Sequence, residues 1–285
     1  MTTPIHRVYL DGGGSKTALR YGTETLRWGP SALSLGVTPL MACRQDVRAH
    51  WSLPETVHWV MSMAGCEHLA HRNALLANWG EPLILMSDRD AGWLGASGGK
   101  PMAVLTVGTG TALAWMTSDH TFGHAGGLGF RLGDEGSGAW IGRYALALLA
   151  QALDGDCRVD LSVAAWSEGL QVAPTLDSVM ALAADATPAL FARRAPWVMQ
   201  AADAGDPVAR GICADAVVAL DHLLGRLPES LPIALVGGLS GIFGDPLRHL
   251  GHAIETPKGD VFDGLSRVVE GFECPGLQIW RCGYV

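Results

Sequence analysis

The sequence predicts an α/β protein, and three observations predict it. Short apolar runs, each closing on glycine or aspartate, recur along the chain; segments with helix-start signals lie between them; one such segment carries an apolar stripe at helical spacing. The runs are "RVYLDG", "VHWVMSMAG", "PLILMSD", "MAVLTVG" and "IALVGG", each short and bounded by turn residues as strands are. Helix starts are predicted where Thr38 precedes Pro39, Thr187 precedes Pro188 and Asp206 precedes Pro207. In each, a capping oxygen stands ahead of a proline whose missing N–H is of no consequence in a first turn. In "PVARGICADAVVALDHLLGRL" the stripe is Val208, Ile212, Ala216, Leu220, Leu223, Leu224 and Leu227, read as core packed on a sheet rather than chemistry.

With 285 residues, 48% hydrophobic and 17% charged, the chain has material for one large or two modest buried domains. The glycine-bearing "ASGGKP" at 96–101 is the expected crossing between them, giving domains 1–98 and 99–285, with the last helix a candidate to pack back on the first domain. A net charge of -8 without a basic cluster argues against a nucleic-acid partner. Cys43, Cys66, Cys157, Cys213, Cys274 and Cys282 are scattered without C-x-x-C spacing, and "MTTPIHRVYLD" has neither a basic leader nor an apolar signal core. Both point to a reduced, cytoplasmic protein. The longest apolar runs, such as "MAVLTV", are too short to cross a bilayer, so no membrane association is expected.

The first strand runs into "YLDGGGSKTALRYG", where Asp11 precedes Gly12, Gly13 and Gly14, then Ser15, Lys16 and Thr17. Consecutive glycines lose the most conformational entropy on folding, so they need a tight turn or a close approach to explain them. A P-loop would need glycine at Ser15 and Leu10, and a dinucleotide fingerprint would need one at Thr17; both patterns fail. β-prone residues follow, so the run reads as the corner of a β-hairpin. "LTVGTGTALAWM" repeats the logic with Gly108, Thr109, Gly110 and Thr111, which suggests an internal duplication. Successive N–H groups in such turns form anion-binding concavities, and small hydroxyls add donors. An ordinary hairpin remains the alternative for either turn alone.

The third informative stretch, "GGLGFRLGDEGSGAWIGRYAL", places Gly126, Gly127, Gly129, Gly133, Gly136 and Gly138 around Asp134 and Glu135 and enters a helix near Ala139. So bare a backbone fits close approach to a ligand, with Asp134 accepting from hydroxyl donors. Metal ligation by this carboxylate pair ranks low because no further ligand stands at the right spacing. "GASGG" around Ser97 matches a nucleophile-elbow pattern, but the helix precedes the serine instead of following it. His68 with His71, and His249 with His252, read as surface histidines.

The ordered set "LDGGGSKT", "SDRDAGWLGA", "LTVGTGTA", "GGLGFRLGDEGSGAWIGR" and "IALVGG" resembles the N-acetylglucosamine kinase and BadF-type branch of the sugar kinase, heat-shock protein 70 and actin superfamily, over nearly the whole chain. "LGDEGSGAWIGR" is the most specific of these motifs. The resemblance implies two ribonuclease-H-like domains with a nucleotide and sugar cleft between them, ATP and Mg²⁺ as cofactors, and an amino sugar as the small-molecule partner. A homodimer stays open. It implies Asp11 at the metal, and Gly12, Gly13, Gly14, Ser15 and Lys16 with Gly108, Thr109, Gly110 and Thr111 as the phosphate hairpins. Gly237 and Gly238 match the adenosine motif; Gly126, Gly127, Leu128 and Asp134 match the sugar segment. The family's base is an aspartate ahead of a Leu-Gly-Ala helix. Spacing to Leu94, Gly95 and Ala96 selects Asp88, although the Asp-Ala pair of relatives points to Asp90. The end of "PLILMSD" is expected to coincide with the strand end at Asp88, with Asp90 already in the following turn; the alternative is that Asp88 only caps the next helix.

The expected activity is transfer of the γ-phosphate to the 6-hydroxyl of N-acetylglucosamine or glucosamine, with Asp88 accepting the hydroxyl proton. Two departures bear on the sugar: Leu128 replaces the family's tryptophan and Ala32 a polar asparagine. The rivals are an ATP-dependent activator of a radical dehydratase or reductase, disfavoured by the absence of a convincing cysteine pair, and a non-catalytic nucleotide-binding regulator.

Overall fold

A computed structural model describes residues 5–156, 158, 160–184 and 186–283. The chain opens with a three-strand meander, β1 (Arg7–Gly12), β2 (Thr17–Tyr21) and β3 (Glu24–Trp28). A 3-10 turn at Leu33–Leu35 leads to α1 (Thr38–His50), β4 (His58–Met63), α2 (Leu69–Trp79), β5 (Leu83–Met86) and α3 (Asp88–Ser97). A second meander follows, β6 (Met102–Val107), β7 (Thr111–Met116) and β8 (Phe122–Gly126), then α4 (Gly138–Leu153). Five helices come next: α5 (Val163–Gly169), α6 (Leu176–Ala184), α7 (Pro188–Ala192), α8 (Ala195–Asp203) and α9 (Pro207–Leu224). The chain finishes with β9 (Ile233–Val236), α10 (Ser240–His249), β10 (Ile254–Glu255), α11 (Val261–Val269) and β11 (Ile279–Cys282).

Among the described residues the first sheet has the order β11-β5-β4-β1-β2-β3 and the second β10-β9-β6-β7-β8. Removing β11 leaves two identical orders offset by five strands, the duplication that the two glycine turns suggested. In the first sheet β1 pairs antiparallel with β2 and parallel with β4, while β11 runs antiparallel along the edge strand β5. Parallel strands buried on both faces need near-continuous apolar runs. "HWVMSM" and "LILM" have that character, and all of β5 is buried.

By contacts the chain divides into two units. The first is Met1–Val104, Ala114–Gly123 and Thr256–Val285; the second is Leu105–Leu113 and His124–Glu255. In the first unit Leu10, Leu19, Met61 and Leu85 form the sheet side of the core, with Trp59 and Trp79 meeting edge to face at 5.1 Å. The Trp59 indole N–H donates to Glu81, whose carboxylate also pairs with Arg44 and Arg48. Helix α11 lies against α3 so closely that a Cβ on Gly95 would stand 1.8 Å from the Asp260 carbonyl oxygen, and one on Gly264 2.2 Å from that of Ala91. A capping box of Asp260 and Asp263 starts α11.

In the second unit Thr187 and Asp206 cap α7 and α9 as expected, each side chain accepting backbone N–H groups of the first turn. Thr38 does not cap α1: Val37 holds the cap position without a side-chain bond, so Thr38 is already helical and Pro39 occupies the second position. The α9 stripe is also corrected in part. Ile212, Ala216, Leu220 and Leu224 are buried, but Val208, Leu223 and Leu227 are half-buried, Leu227 lies past the end of the helix, and Leu223 lines a cavity. No described helix is long and apolar enough to cross a membrane.

Candidate functional site

In the first unit the triple-glycine run closes the β1–β2 hairpin, with Gly12 opposite Thr17 and the Gly13 N–H donating to the Lys16 carbonyl at 3.0 Å. Its three glycines have different reasons. A Cβ on Gly12 would stand 2.5 Å from Met63 Sδ and 2.7 Å from Ser31 Oγ, so packing requires it. Gly13 would press on the Lys16 carbonyl at 3.2 Å. Gly14 has an ordinary φ and its Cβ would meet nothing within 4 Å, so neither conformation nor packing accounts for it. Among the described residues no backbone carbonyl takes the N–H groups of Gly14, Ser15 or Lys16. The turn is braced from below: Ser31 and Ala32 donate their N–H groups to the Gly13 carbonyl, and Thr17 Oγ1 bonds the Ser31 hydroxyl at 2.7 Å and the Gly29 carbonyl at 2.6 Å.

Asp11 ends β1 beside this turn and accepts the Ser62 hydroxyl from the neighbouring β4 at 2.7 Å. Desolvation pushes its carboxyl above the ordinary value, with Asp260 adding to the shift, while the Ser62 bond and the Lys16 charge act against it. Strand β5 ends at Met86, not at Asp88, and both aspartates lie in the first turn of α3. The two nevertheless differ. Ser87 is the cap, its hydroxyl accepting the Asp90 N–H at 3.0 Å, so Asp88 is released from capping. Asp90 is 1% exposed and accepts Arg89 Nε at 3.0 Å. Desolvation by the surrounding protein, then the charges of Glu67 and Asp11, push Asp88 up to about 7; its Arg89 contacts oppose this. The Asp88 surface opens to solvent, which tempers the desolvation, but the two like charges act in the same direction.

In the second unit Gly108, Thr109 and Gly110 form the turn between β6 and β7, closed by the Gly108 N–H on the Gly110 carbonyl at 2.9 Å. The start of α4 docks on it: the Gly138 N–H donates to the Gly108 carbonyl, the Ala139 N–H to that of Thr109. Asp134 sits at φ 61, only 8% exposed, and its Oδ1 accepts the Thr111 N–H at 3.2 Å. A Cβ on Gly110 would lie 2.8 Å from Asp134 Oδ2, so this glycine makes room for the carboxylate. Burial raises the Asp134 carboxyl, the Thr111 N–H lowers it and Glu135 raises it. Gly237, at φ 97 with its Cβ position 2.5 Å from the Val107 carbonyl, is required by the backbone, whereas Gly238 would meet nothing. Gly238 comes within 3.8 Å of the Cβ position on Gly108, so the turn and the "VGG" segment adjoin.

Between the 126–135 loop and the C-terminal half of α9 lies a cavity of about 270 Å³, lined among others by Thr111, Gly126, Leu128, Asp134 and Leu223. Thr111 belongs to the lining, and its hydroxyl is buried without a hydrogen-bond partner.

No protein-family model matches the chain. Solved structures do. The chain is 29% identical to a putative N-acetylglucosamine kinase from Chromobacterium violaceum, with a TM-score of 0.80 over 93% of this chain and 99% of that one. A putative N-acetylglucosamine kinase from Porphyromonas gingivalis matches at 18% identity and a TM-score of 0.63, over 91% and 97% of the two chains. A putative N-acetylmannosamine kinase from Listeria monocytogenes matches at 13% and 0.56, over 93% and 99%. The fold is that of the actin-like ATPases.

Within each unit of this actin-like fold, the residues singled out from the sequence come together: Asp11 with the first turn, and Asp134 with the second turn and the cavity. Sequence reading missed Ser62, Glu67 and Ser31, which act through hydrogen bonds and charge from other strands and loops. It also missed His222, which lines the cavity from α9, and Arg226, which lines it from just past the end of that helix. The His68 and His71 rings stack at 4.4 Å, and His252 bonds Asp221 at 2.6 Å. Ser97 ends α3 and accepts the Gly99 N–H, a local turn contact unlike a nucleophile elbow. Among the described residues no group of three metal-ligating side chains occurs, and the described cysteines are free; Cys157 lies outside the described residues.

Proposed function

We propose that the protein is an ATP-dependent amino-sugar kinase that transfers the γ-phosphate to the 6-hydroxyl of N-acetylglucosamine or glucosamine. The observation that carries this reading is the pattern of glycines that the fold itself does not need. Gly14 and Gly238 have ordinary φ and open Cβ positions, Gly108 has an ordinary φ and only the Gly238 nitrogen at 3.8 Å from its Cβ position, and each belongs to a turn matched by the nucleotide motifs. Unpaired N–H groups at 14–16 provide a concavity for phosphate oxygens, which accept from backbone donors without side-chain interference. The 29% identity to the Chromobacterium violaceum kinase over almost the full length of both chains supports the same reading.

The residues present fit the implied cofactors. Mg²⁺ is commonly held through one or two carboxylates, waters and substrate phosphates, so the single half-buried Asp11 beside the first turn is sufficient protein ligation. Bound there, Mg²⁺ would neutralise charge on the phosphates. Asp88, freed from capping and with its pKa raised toward neutrality, accepts the proton of the attacking hydroxyl. Asp90 is engaged by Arg89 and is assigned the structural role. Asp134, fixed by the Thr111 N–H, offers its remaining lone pairs to sugar hydroxyls.

ADP release measured over glucosamine, N-acetylglucosamine, N-acetylmannosamine and glucose tests the proposal. Turnover on a hexosamine is expected. Turnover only on sugars lacking the 2-amino or 2-acetamido group overturns the amino-sugar assignment, and no ADP formation with any sugar overturns the kinase.

A further inference from the structure

Strand β4 lies between β1 and β5 and runs parallel to both, a setting in which a strand is expected to be apolar throughout. Ser62 breaks that run. It is 0% exposed within the buried stretch 59–63, where a hydroxyl taken out of water costs stability unless it is hydrogen-bonded. Its bond goes to Asp11. The two are register partners on β4 and β1, so their side chains leave the same face of the sheet, and Ser62 Oγ donates to Asp11 Oδ1 at 2.7 Å. Among the described residues neither the Ser62 hydroxyl nor the Asp11 carboxylate has another hydrogen-bond partner.

A donor on one oxygen fixes the rotation of a carboxylate about its Cβ–Cγ bond and leaves the lone pairs of the other oxygen free. Without that bond, Asp11 would have to be ordered each time a cation arrived. We propose that Ser62 is the positioning residue of the cation ligand, holding Asp11 through Oδ1 so that Oδ2 is presented in one orientation beside the first turn. Mg²⁺ demands near-ideal octahedral geometry, and the hydrogen-bonding partners of ligating carboxylates are typically worth roughly 10- to 100-fold in metal affinity. The inference rests on the kinase reading, which puts Asp11 at the metal, and adds the residue of this chain that readies it.

The experiment compares the wild type with Ser62→Ala, which removes a single oxygen atom. Electron paramagnetic resonance of Mn²⁺ titrated into the ADP-saturated protein reads cation affinity, and calorimetry of ADP in EDTA reads the nucleotide alone. Ser62→Ala is expected to weaken Mn²⁺ binding by roughly 10- to 100-fold and to leave ADP binding in EDTA within about twofold of the wild type. In kinetics the Mg²⁺ concentration for half-maximal turnover should rise by a similar factor, with kcat recovered at saturating Mg²⁺. Mn²⁺ affinity within about twofold of the wild type overturns the inference and leaves the kinase standing. An equal loss of ADP affinity in EDTA also overturns it, because Ser62 would then support the turn rather than the ligand. If the wild type itself binds no Mn²⁺ with ADP, Asp11 is not the cation ligand and the inference falls with that assignment. Should melting curves show Ser62→Ala unfolded, Ser62→Cys, close in size and only a weak donor, is read against the same outcomes.

Discussion

The turns at 13–16 and 108–110 occupy equivalent places in two sheets of the same strand order, yet they are equipped with different carboxylates. Asp11 stands on the strand that feeds its turn, half-exposed and held by one serine hydroxyl. Asp134 arrives from a loop more than twenty residues away, is nearly buried, adopts a left-handed backbone and is gripped by the N–H of the residue that follows the second turn. A lightly held carboxylate can exchange partners, as a cation ligand must; a buried, locked one presents fixed acceptor geometry. The same strand order therefore occurs twice, and the carboxylates beside its two turns differ in how tightly they are held.

The largest expected effect separates the two aspartates of α3. Asp88→Asn should lower kcat by roughly 10²- to 10⁴-fold while leaving sugar and ATP binding nearly intact, because a general base acts in the chemical step. Asp90→Asn should lower the melting temperature more than kcat, since it weakens a buried pair with Arg89. The reverse order in steady-state kinetics would transfer the base to Asp90.

The raised pKa of Asp88 gives a pH signature of definite sign. Its base form grows as pH rises, so kcat/KM should climb through about 7. Stability moves the other way: a carboxyl whose folded pKa exceeds its unfolded one contributes fully below the unfolded value of 3.8, and that contribution is lost as pH rises through about 7. Asp88→Asn should flatten the melting-temperature profile across that interval; an unchanged slope would remove Asp88 from the account.

Glycine substitutions sharpen the contrast between the turns. Gly110→Ala should displace Asp134 and raise the sugar KM on the order of tenfold, with a smaller change for ATP. Gly14→Ala should weaken ATP use and leave the sugar KM and melting temperature in place, because the fold has room for the methyl group. A loss of stability in Gly14→Ala would show that the run serves the hairpin rather than a ligand. Asp11→Asn should impair Mg²⁺-supported turnover more than nucleotide affinity, by calorimetry against kinetics. The smallest effect is Thr187→Ala, expected to cost about 1 kcal/mol of stability through loss of the α7 cap without altering either KM.

Much of this was legible because glycines, prolines and caps act locally. The strand runs, the two hairpin corners and the Thr187 and Asp206 caps could be read from adjacent residues. Thr38 misled because a threonine before proline fits either the cap or the first helical position, and only the path of the preceding chain decides. Asp88 was placed one structural step wrong for the same reason: Ser87, a better cap, ended the strand region earlier. Ser62, Glu67 and Arg226 were invisible because each becomes relevant only when a distant strand or helix packs beside its partner. The "LQIWRC" edge strand and the Asp260–Asp263 box had local signals, alternation in one and capping spacing in the other, that could have been used.

The return of α11 and β11 to the first unit sets an order of events during synthesis. All of residues 105–255 are synthesised before the residues that cover Gly95 on α3 and pair along β5 exist. The second unit therefore has every one of its own segments in hand while the first still shows an unpaired strand edge and an open helix groove. A chain truncated near residue 255 would carry one unit able to complete itself and one exposed to chaperones or to mispairing through "LILM".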